Sequence, residues 1–416
     1  MIKTVLTLST VACACGTALA QDASSVTLYG SVDAGVSRVS GQKGGTDTRL
    51  VSGIMDGSRW GLRGNEEIGN GFRGIFTLEN RLELNNGSGS NRPASGSQVP
   101  DRLSNATLLG LPAPFQPAVS GVAKALGDSI GVNLANNYWD RQAFVGLVTP
   151  VGAVLAGRQY TPAYEVASTF DTLQTQSSLA AGQVASFPPS IDIRASNALA
   201  YRIQAGGFSG GLMYTVETAP TISTFKGFSA MYKADVVSVG LGYNTHKNEL
   251  GEKALTSTVL GASVKIGPGT LSGLVGSVKD DHPAGLSGIS ALVSAAPPAG
   301  VGPANAVLVQ NAFIKALKQD ARIAHIGYRL TAGASTVYVA YSLYNDKLPN
   351  NADTASYGAV YSYGFSKRTD VNFAVTRFNN KGLGQAAPGA AGYLGGVTEK
   401  AGTDSSSIAL GLRHRF

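Results

Sequence analysis

The feature that most restricts this chain is an alternation of period two, carried through segments of about ten residues, in a sequence whose mature part has no apolar run long enough for a membrane helix. Val26, Leu28, Val32 and Val36 interleave with Thr27, Tyr29, Ser31, Asp33 and Ser37. From Ser335 to Tyr344, Val337, Val339, Tyr341 and Leu343 alternate with Thr336, Ala340 and Ser342. At the end of the chain Ile408, Leu410, Leu412 and Phe416 share one side, and Ala409, Gly411, Arg413 and Arg415 share the other. Neighbouring side chains of a strand point to opposite faces, so each segment has an apolar face and a polar or small one. A soluble β-sandwich alternates in the same way. Three features favour a membrane barrel instead: the strand length, the aromatic residues near strand ends (Tyr29, Trp60, Tyr138, Trp139, Tyr214, Tyr232, Tyr361, Tyr363), and the rhythm of the connections. In lipid only helices and closed barrels satisfy every backbone group. The expected fold class is therefore all-β, a transmembrane antiparallel β-barrel.

The pattern predicts sixteen strands, at 26–39, 58–66, 72–84, 138–149, 153–159, 196–204, 210–218, 227–233, 236–246, 255–266, 270–279, 321–331, 335–344, 355–365, 370–379 and 405–416. Short connections such as Gly69-Asn70-Gly71 and Gly267-Pro268-Gly269 alternate with long ones at 40–57, 85–137, 160–195, 219–226, 247–254, 280–320, 345–354 and 380–404. Short turns at one end and long loops at the other is the outer-membrane pattern, and an even count puts both termini at the short-turn, periplasmic end. Two loops are unusually long. Residues 85–137 carry a helix-like spacing at Val119, Val122, Leu126 and Ile130; residues 280–320 carry a second near Ala306 to Leu317, after Pro297-Pro298. Each reads either as plain surface loop or as short helices over the mouth.

The first twenty residues read as a signal peptide, with Lys3, an apolar stretch from Val5 to Ala14, and an A-x-A site at Ala18-Leu19-Ala20. Residues 21–416 are then one barrel domain. Both cysteines, Cys13 and Cys15, fall inside the leader, so the mature chain has no disulfide and no thiolate metal site. Thr10-Val11-Ala12 before Cys13 offers a lipoprotein box, but the A-x-A site is better placed. Lys and Arg number 33 against 26 Asp and Glu, and they are scattered, which argues against a nucleic-acid partner.

Enzyme signals are weak. Gly207-Phe208-Ser209-Gly210-Gly211 fits the Ser-hydrolase elbow, which needs a helix after it; a strand follows here. None of His246, His282, His325 and His414 is followed by Glu, so no HExxH zinc site exists. No cofactor or metal is expected. The strand-face charges carry more. Arg59 and Arg63 lie opposite Trp60 and Leu62; Arg73, Thr77, Glu79, Arg81 and Glu83 lie opposite Phe72, Gly74, Phe76 and Leu78. A lipid-facing charge near the midplane costs about 2–4 kcal/mol, so these faces should line the lumen. Arginine stays charged in any plausible environment there. Pairing along the wall, for example Glu79 with Arg81, is the alternative use of the same groups. The third long loop brings Glu165, Asp171, Asp192 and Arg194.

Several motifs occur in order along the chain: Ser25-Val26-Thr27-Leu28-Tyr29-Gly30 with Asp33, Ser58-Arg59-Trp60-Gly61-Leu62-Arg63-Gly64, Arg141-Gln142-Ala143-Phe144-Val145-Gly146-Leu147, Gly157-Arg158-Gln159-Tyr160 and Gly411-Leu412-Arg413-His414-Arg415-Phe416. With them the chain resembles the general porins of Gram-negative bacteria, of the β-proteobacterial type. The resemblance implies a homotrimer in the outer membrane, among lipid and lipopolysaccharide, that passes small hydrophilic or anionic solutes. It implies a third loop folded into the lumen, and Phe416 as part of the signal read by the barrel-assembly machinery. Matched by motif, a pore constriction passes to Arg59, Arg141 and Arg194, with Arg81 and Arg158 as further candidates, facing the loop carboxylates Glu165 and Asp171. Arg141 sits in phase with Ala143, Val145 and Leu147, so it needs either a bulge or a place above the membrane. The extended 85–137 loop departs from the family pattern. A substrate-specific channel, an adhesin using the long loops, and an outer-membrane enzyme are the rival readings.

Overall fold

The structure, a computed structural model, describes residues 24–174, 177, 190–295, 302–389 and 395–416, so the expected signal peptide at 1–20 lies outside them. In chain order the strands are β1 Ser25–Ser40, β2 Asp47–Ser52, β3 Arg59–Gly69, β4 Phe72–Arg81, β5 Gln142–Thr149, β6 Gly152–Tyr160, β7 Arg194–Ala205, β8 Phe208–Ala219, β9 Ile222–Lys233 and β10 Val237–Asn248. They continue with β11 Lys253–Ile266, β12 Gly269–Asp280, β13 Gln319–Ala332, β14 Ser335–Asp346, β15 Thr354–Gly364, β16 Thr369–Asn380, β17 Ala386–Ala387, β18 Gly396–Val397 and β19 Ser405–Arg415. Five α-helices lie in the loops: α1 Asp101–Ser104, α2 Gln116–Ser129, α3 Pro162–Phe170, α4 Ile289–Ala295 and α5 Pro303–Leu317.

Sixteen of the strands form a closed antiparallel barrel, β1 meeting β19 with Val36 opposite Leu410 and Asp33 opposite Arg413. Closure leaves no open edge for lipid to meet. The alternation divides the two faces as the sequence requires. Val145, Leu199, Leu212, Leu260, Val275 and Leu410 are exposed on the outside. Ser31, Ser257, Ser342, Asn372, Ser407 and Arg413 are buried on the inside. Trp60 stacks edge-on against Trp139, at 5.5 Å between centroids, and Tyr138 meets Trp139 at 4.7 Å, the amphipathic rings that suit a membrane boundary.

Several boundaries differ from the sequence reading, the connection expected at 247–254 being only 249–252, and three of the differences have a local reason. The long connection expected at 219–226 is the two-residue turn Pro220-Thr221, because β8 and β9 keep pairing up to Ala219 opposite Ile222. The strand expected from 138 starts at Gln142. The Asp140 carboxylate takes the Arg81 backbone N–H at 3.0 Å, which draws residues 138–141 off the ladder. The loop expected at 40–57 contains a strand of its own, β2. β2 pairs with the upper half of β1, Ala34 opposite Ser52, and β3 takes up the lower half from Ser31 opposite Arg59.

Between β2 and β3 the chain steps inward as a bulge at 53–58. Its anchor is Asp33 on β1. The Asp33 carboxylate accepts the backbone N–H groups of Ile54, Met55 and Asp56 at 3.2, 2.8 and 2.8 Å, and Ser58 Oγ donates to the Asp33 carbonyl at 2.9 Å. Ile54 and Met55 are thereby buried inside the barrel with Val51, Leu173 and Ala374. Ser177 Oγ donates to the Ile54 carbonyl at 2.6 Å, tying the bulge to the third loop.

That third loop folds into the lumen. Its helix α3 starts with proline at the first position, which suits a helix N-terminus. It lays Ala163, Val166, Ala167 and Phe170 against an apolar strip of the inner wall formed by Leu255, Val259, Leu274, Val278 and Ile323. Glycines make the bed. A Cβ at Gly261 would stand 2.1 Å from Phe170 Cδ2, and one at Gly242 would stand 2.7 Å from Ala163 Cα, so no side chain fits at either position. Beyond the helix, Thr172 docks on the buried His325 of β13. Its N–H donates to Nε2 at 3.0 Å, while Nδ1 lies 2.8 Å from Ser342 Oγ.

Candidate functional site

On the inner wall from β3 to β7 the register sets one row of side chains side by side. Arg59 is opposite Arg81, Gly61 opposite Glu79, and Arg63 opposite Thr77, so the arginines of the second and third barrel strands share the lumen face. Arg141 joins them through a bulge. Its N–H donates to the Glu79 carbonyl at 3.2 Å while Gln142 remains the register partner of Glu79, so two residues face one. This extra residue turns the Arg141 side chain inward although Ala143, Val145 and Leu147 point out.

Glu79 is the hub. Its Oε1 accepts from Arg141 Nε at 2.7 Å, and its Oε2 lies 3.5 Å from Arg59 Nε and 3.0 Å from the donating Tyr29 hydroxyl. Arg59 also pairs with Asp56 of the bulge at 2.6 Å. Arg63 lies over the Tyr29 ring, 3.8 Å from its centroid. On the far side Tyr160 continues the row: Arg141 Nη2 and Arg194 Nη2 donate to its hydroxyl at 2.9 and 3.0 Å. Tyr160 in turn stacks on Tyr164 of α3 at 5.3 Å. Arg202, on the lumen face of β7, holds Glu165 of α3 at 2.5 Å.

Five guanidiniums, of Arg59, Arg63, Arg141, Arg194 and Arg202, are thus joined in one network with three carboxylates, those of Asp56, Glu79 and Glu165. Among the described residues Arg63 and Arg194 have no carboxylate in ion-pair range and contact tyrosines instead. Burial holds the Glu165 carboxyl above the ordinary glutamate range, against the pull of Arg202.

The other expected residues lie elsewhere. Arg81 is sealed in the wall with its side chain 2 % exposed, 3.1 Å from Asp140 and 3.7 Å from Glu83. Arg158 is in register with outward-pointing Ala143, and its guanidinium is tied to the Asp140 carbonyl at 2.6 Å and Ser196 Oγ at 2.8 Å. Each loop carboxylate has a partner of its own, and none is paired with Arg59, Arg141 or Arg194 among the described contacts. Asp171 is buried 3.5 Å from His325, Asp192 accepts His246 Nδ1 at 2.8 Å, and Glu165 is engaged by Arg202. Each acid of the loop is matched by a wall residue, because a buried carboxylate is costly unless it is paired.

Tyr160, Arg202, Asp56 and Asp33 were not picked out as site residues. Arg202 had a signal, its shared phase with Ala198 and Ala200 on β7. Asp56 had none, since its segment reads as loop.

The sequence model of the Gram-negative porin family matches residues 7–383. Outer membrane porin protein 32 of Delftia acidovorans is 27% identical over 441 aligned positions, covering 100% of both chains. An outer membrane porin protein of Bordetella pertussis is 28% identical, over 58% of this chain and 81% of that one. Among solved structures, the anion-selective porin from Comamonas acidovorans superposes with a TM-score of 0.66 at 23% identity, over 94% of this chain and 100% of its own. With that match across most of its length and a closed barrel of sixteen strands, the chain belongs to the Gram-negative porin family.

Proposed function

We propose that this outer-membrane porin, a passive diffusion channel for small hydrophilic solutes and ions, favours anions, and that Arg59, Arg141 and Arg194 with Arg63 and Arg202 set that preference. The observation that carries the reading is the imbalance in the lumen network, five guanidiniums against three carboxylates. Low-dielectric walls focus such an excess into the water between them. The name of the Comamonas structure as an anion-selective porin is in keeping with this. Transport down a gradient needs no nucleophile and no cofactor, as befits relatives that are porins.

The test is the zero-current potential of the reconstituted channel in a KCl gradient. Chloride should be favoured, and the preference should shrink as salt rises, because the Debye length is about 10 Å at 0.1 M and shortens with concentration. It should grow as pH falls. The raised Glu165 carboxyl then loses its charge before an exposed glutamate would, and leaves Arg202 uncompensated. A cation-selective channel at low salt sinks the reading.

The same reading includes the steps before transport: removal of residues 1–20, assembly as a trimer, and recognition of Phe416 by the barrel-assembly machinery. What supports the part given to Phe416 is its position at the barrel seam. Its backbone N–H and carbonyl exchange hydrogen bonds with Gly30 at 3.1 and 3.0 Å, and a Cβ at Gly30 would stand 2.4 Å from the Phe416 ring. The last residue thus closes the seam between first and last strands. Phe416→Ser should lower the amount of protein inserted in the outer membrane, read by heat-shifted mobility of membrane fractions; wild-type amounts would refute the role.

A further inference from the structure

The two longest loops rise from opposite sides of the barrel. The one carrying α1 and α2 follows β4, the third barrel strand, and the one carrying α4 and α5 follows β12, the eleventh. In a ring of sixteen these positions are eight strands apart either way round, a full diameter. Yet the two loops share one buried apolar cluster. Val119 and Val122 of α2 pack with Ile289 of α4 and with Val309 and Phe313 of α5; Val119, Val309 and Phe313 are fully sequestered. Helices from diametrically opposed loops at one end of a barrel can share a core only by bridging its mouth.

The bridge is fastened at many points. Arg102 Nη1 of α1 donates to the Ala316 carbonyl of α5 at 2.7 Å. Asp101 accepts from Lys43 of the first loop at 2.8 Å and from the Ala401 N–H of the last loop at 3.1 Å. Glu249, in the turn after β10, accepts the N–H groups of Gly285 and Ser287 at 2.8 and 3.1 Å. An apolar core with ties to three neighbouring loops makes a fixed structure and not a hinged flap, since each tie would have to break for it to swing.

We propose that this helical bridge is an outer sieve: it limits the size of solute that reaches the lumen, in series with the charge selection made below it. The proposal rests on the channel reading above. It separates two properties that a plain pore sets at one place. Size is limited at the outer mouth by an obstacle with an apolar core whose charges include the pairs Lys43–Asp101 and Lys124–Asp128, and charge is selected by the arginine network inside the barrel.

The wild-type channel supplies the first test. Poly(ethylene glycols) of graded size, added to one side of a planar bilayer at a time, lower conductance only when they enter the pore. The sieve requires a smaller cut-off from the loop side than from the short-turn side. The second test is excision. Asn91 and Val132 exchange backbone hydrogen bonds at 3.2 and 2.9 Å, so the ends of the segment 92–131 already meet and a Gly-Gly joint can replace it. In the excised protein, and in Phe313→Asp, which breaks the core without removing chain, the loop-side cut-off should rise to the short-turn value. Liposome swelling by a tetrasaccharide relative to a pentose should rise severalfold, with the KCl zero-current potential unchanged. Equal cut-offs from the two sides of a conducting wild-type channel overturn the sieve alone. A wild-type protein that conducts nothing overturns the channel reading, and the sieve with it.

Discussion

Phe170→Ala should free the inward loop from the barrel wall and leave the barrel standing. Phe170 is fully buried between the glycine bed of β10 and β11 and the apolar strip of β11 to β13. Truncating a buried phenylalanine to alanine costs about 3–5 kcal/mol in a packed core. Here the loss falls on the docking of α3, because the strand ladder is complete without it. The loop keeps other attachments, Thr172 on His325, Ser177 on the bulge and Glu165 on Arg202, but these are polar contacts, of which a neutral hydrogen bond is worth about 1 kcal/mol net, and none fills the place of the Phe170 ring. The expected result is a folded, heat-modifiable protein whose loop is cut by protease in detergent under conditions that spare the wild type, and whose single-channel record is noisier. Gly261→Val attacks the same contact from the wall, since its Cβ would overlap the Phe170 ring. Two variants with wild-type protease resistance and quiet channels would show that α3 is held by something else.

The barrel was legible because lipid imposes it. Every spanning strand must alternate, and the membrane punishes a charge on the wrong face, so strand count and lumen faces follow from the sequence. Errors cluster where that constraint ends. β8 and β9 run on to Ala219 opposite Ile222 with no clear apolar alternation in 219–226, which therefore reads as loop although it pairs. The bulge at 53–58 is invisible for another reason. Its stabilising partner, Asp33, is one more polar residue on the inner face of β1, and nothing in its spacing says that it caps three backbone N–H groups.

The arginine row was partly legible. The phase of Arg59, Arg63 and Glu79 placed them in the lumen, but phase alone gave the wrong face for Arg141, which a bulge corrects. Partners were the least legible part. Whether an arginine stands free or is sealed in the wall, as Arg81 is, depends on carboxylates brought in by segments far along the chain. The two helical loops show the same limit. The spacing of Val119, Val122 and Leu126 indicates a helix, while the contact of α2 with α4 and α5 depends on the curvature that brings opposite strands' loops over one mouth.

Replacing Arg63 and Arg194 together by glutamine should abolish most of the anion preference at little cost in stability. The choice of these two follows from their surroundings. Arg141 and Arg59 share the buried Glu79, and removing one partner of a buried pair leaves an uncompensated charge, at about 3–5 kcal/mol. A selectivity change in Arg141→Gln would then be confounded by misfolding. Arg63 and Arg194 contact tyrosines, so no carboxylate among the described residues is orphaned by their loss. The network that remains holds Arg59, Arg141 and Arg202 against Asp56, Glu79 and Glu165, charge for charge. A balanced wall has no net field to focus, and the zero-current potential in a KCl gradient should move close to the value set by free diffusion of the two ions. Each single variant should fall between. Lys124→Gln removes a positive charge from the exposed surface of α2, where it already pairs with Asp128, and should leave the potential unchanged. If the double variant keeps the wild-type potential while Lys124→Gln shifts it, the selecting charge sits on the loops and not on the lumen wall.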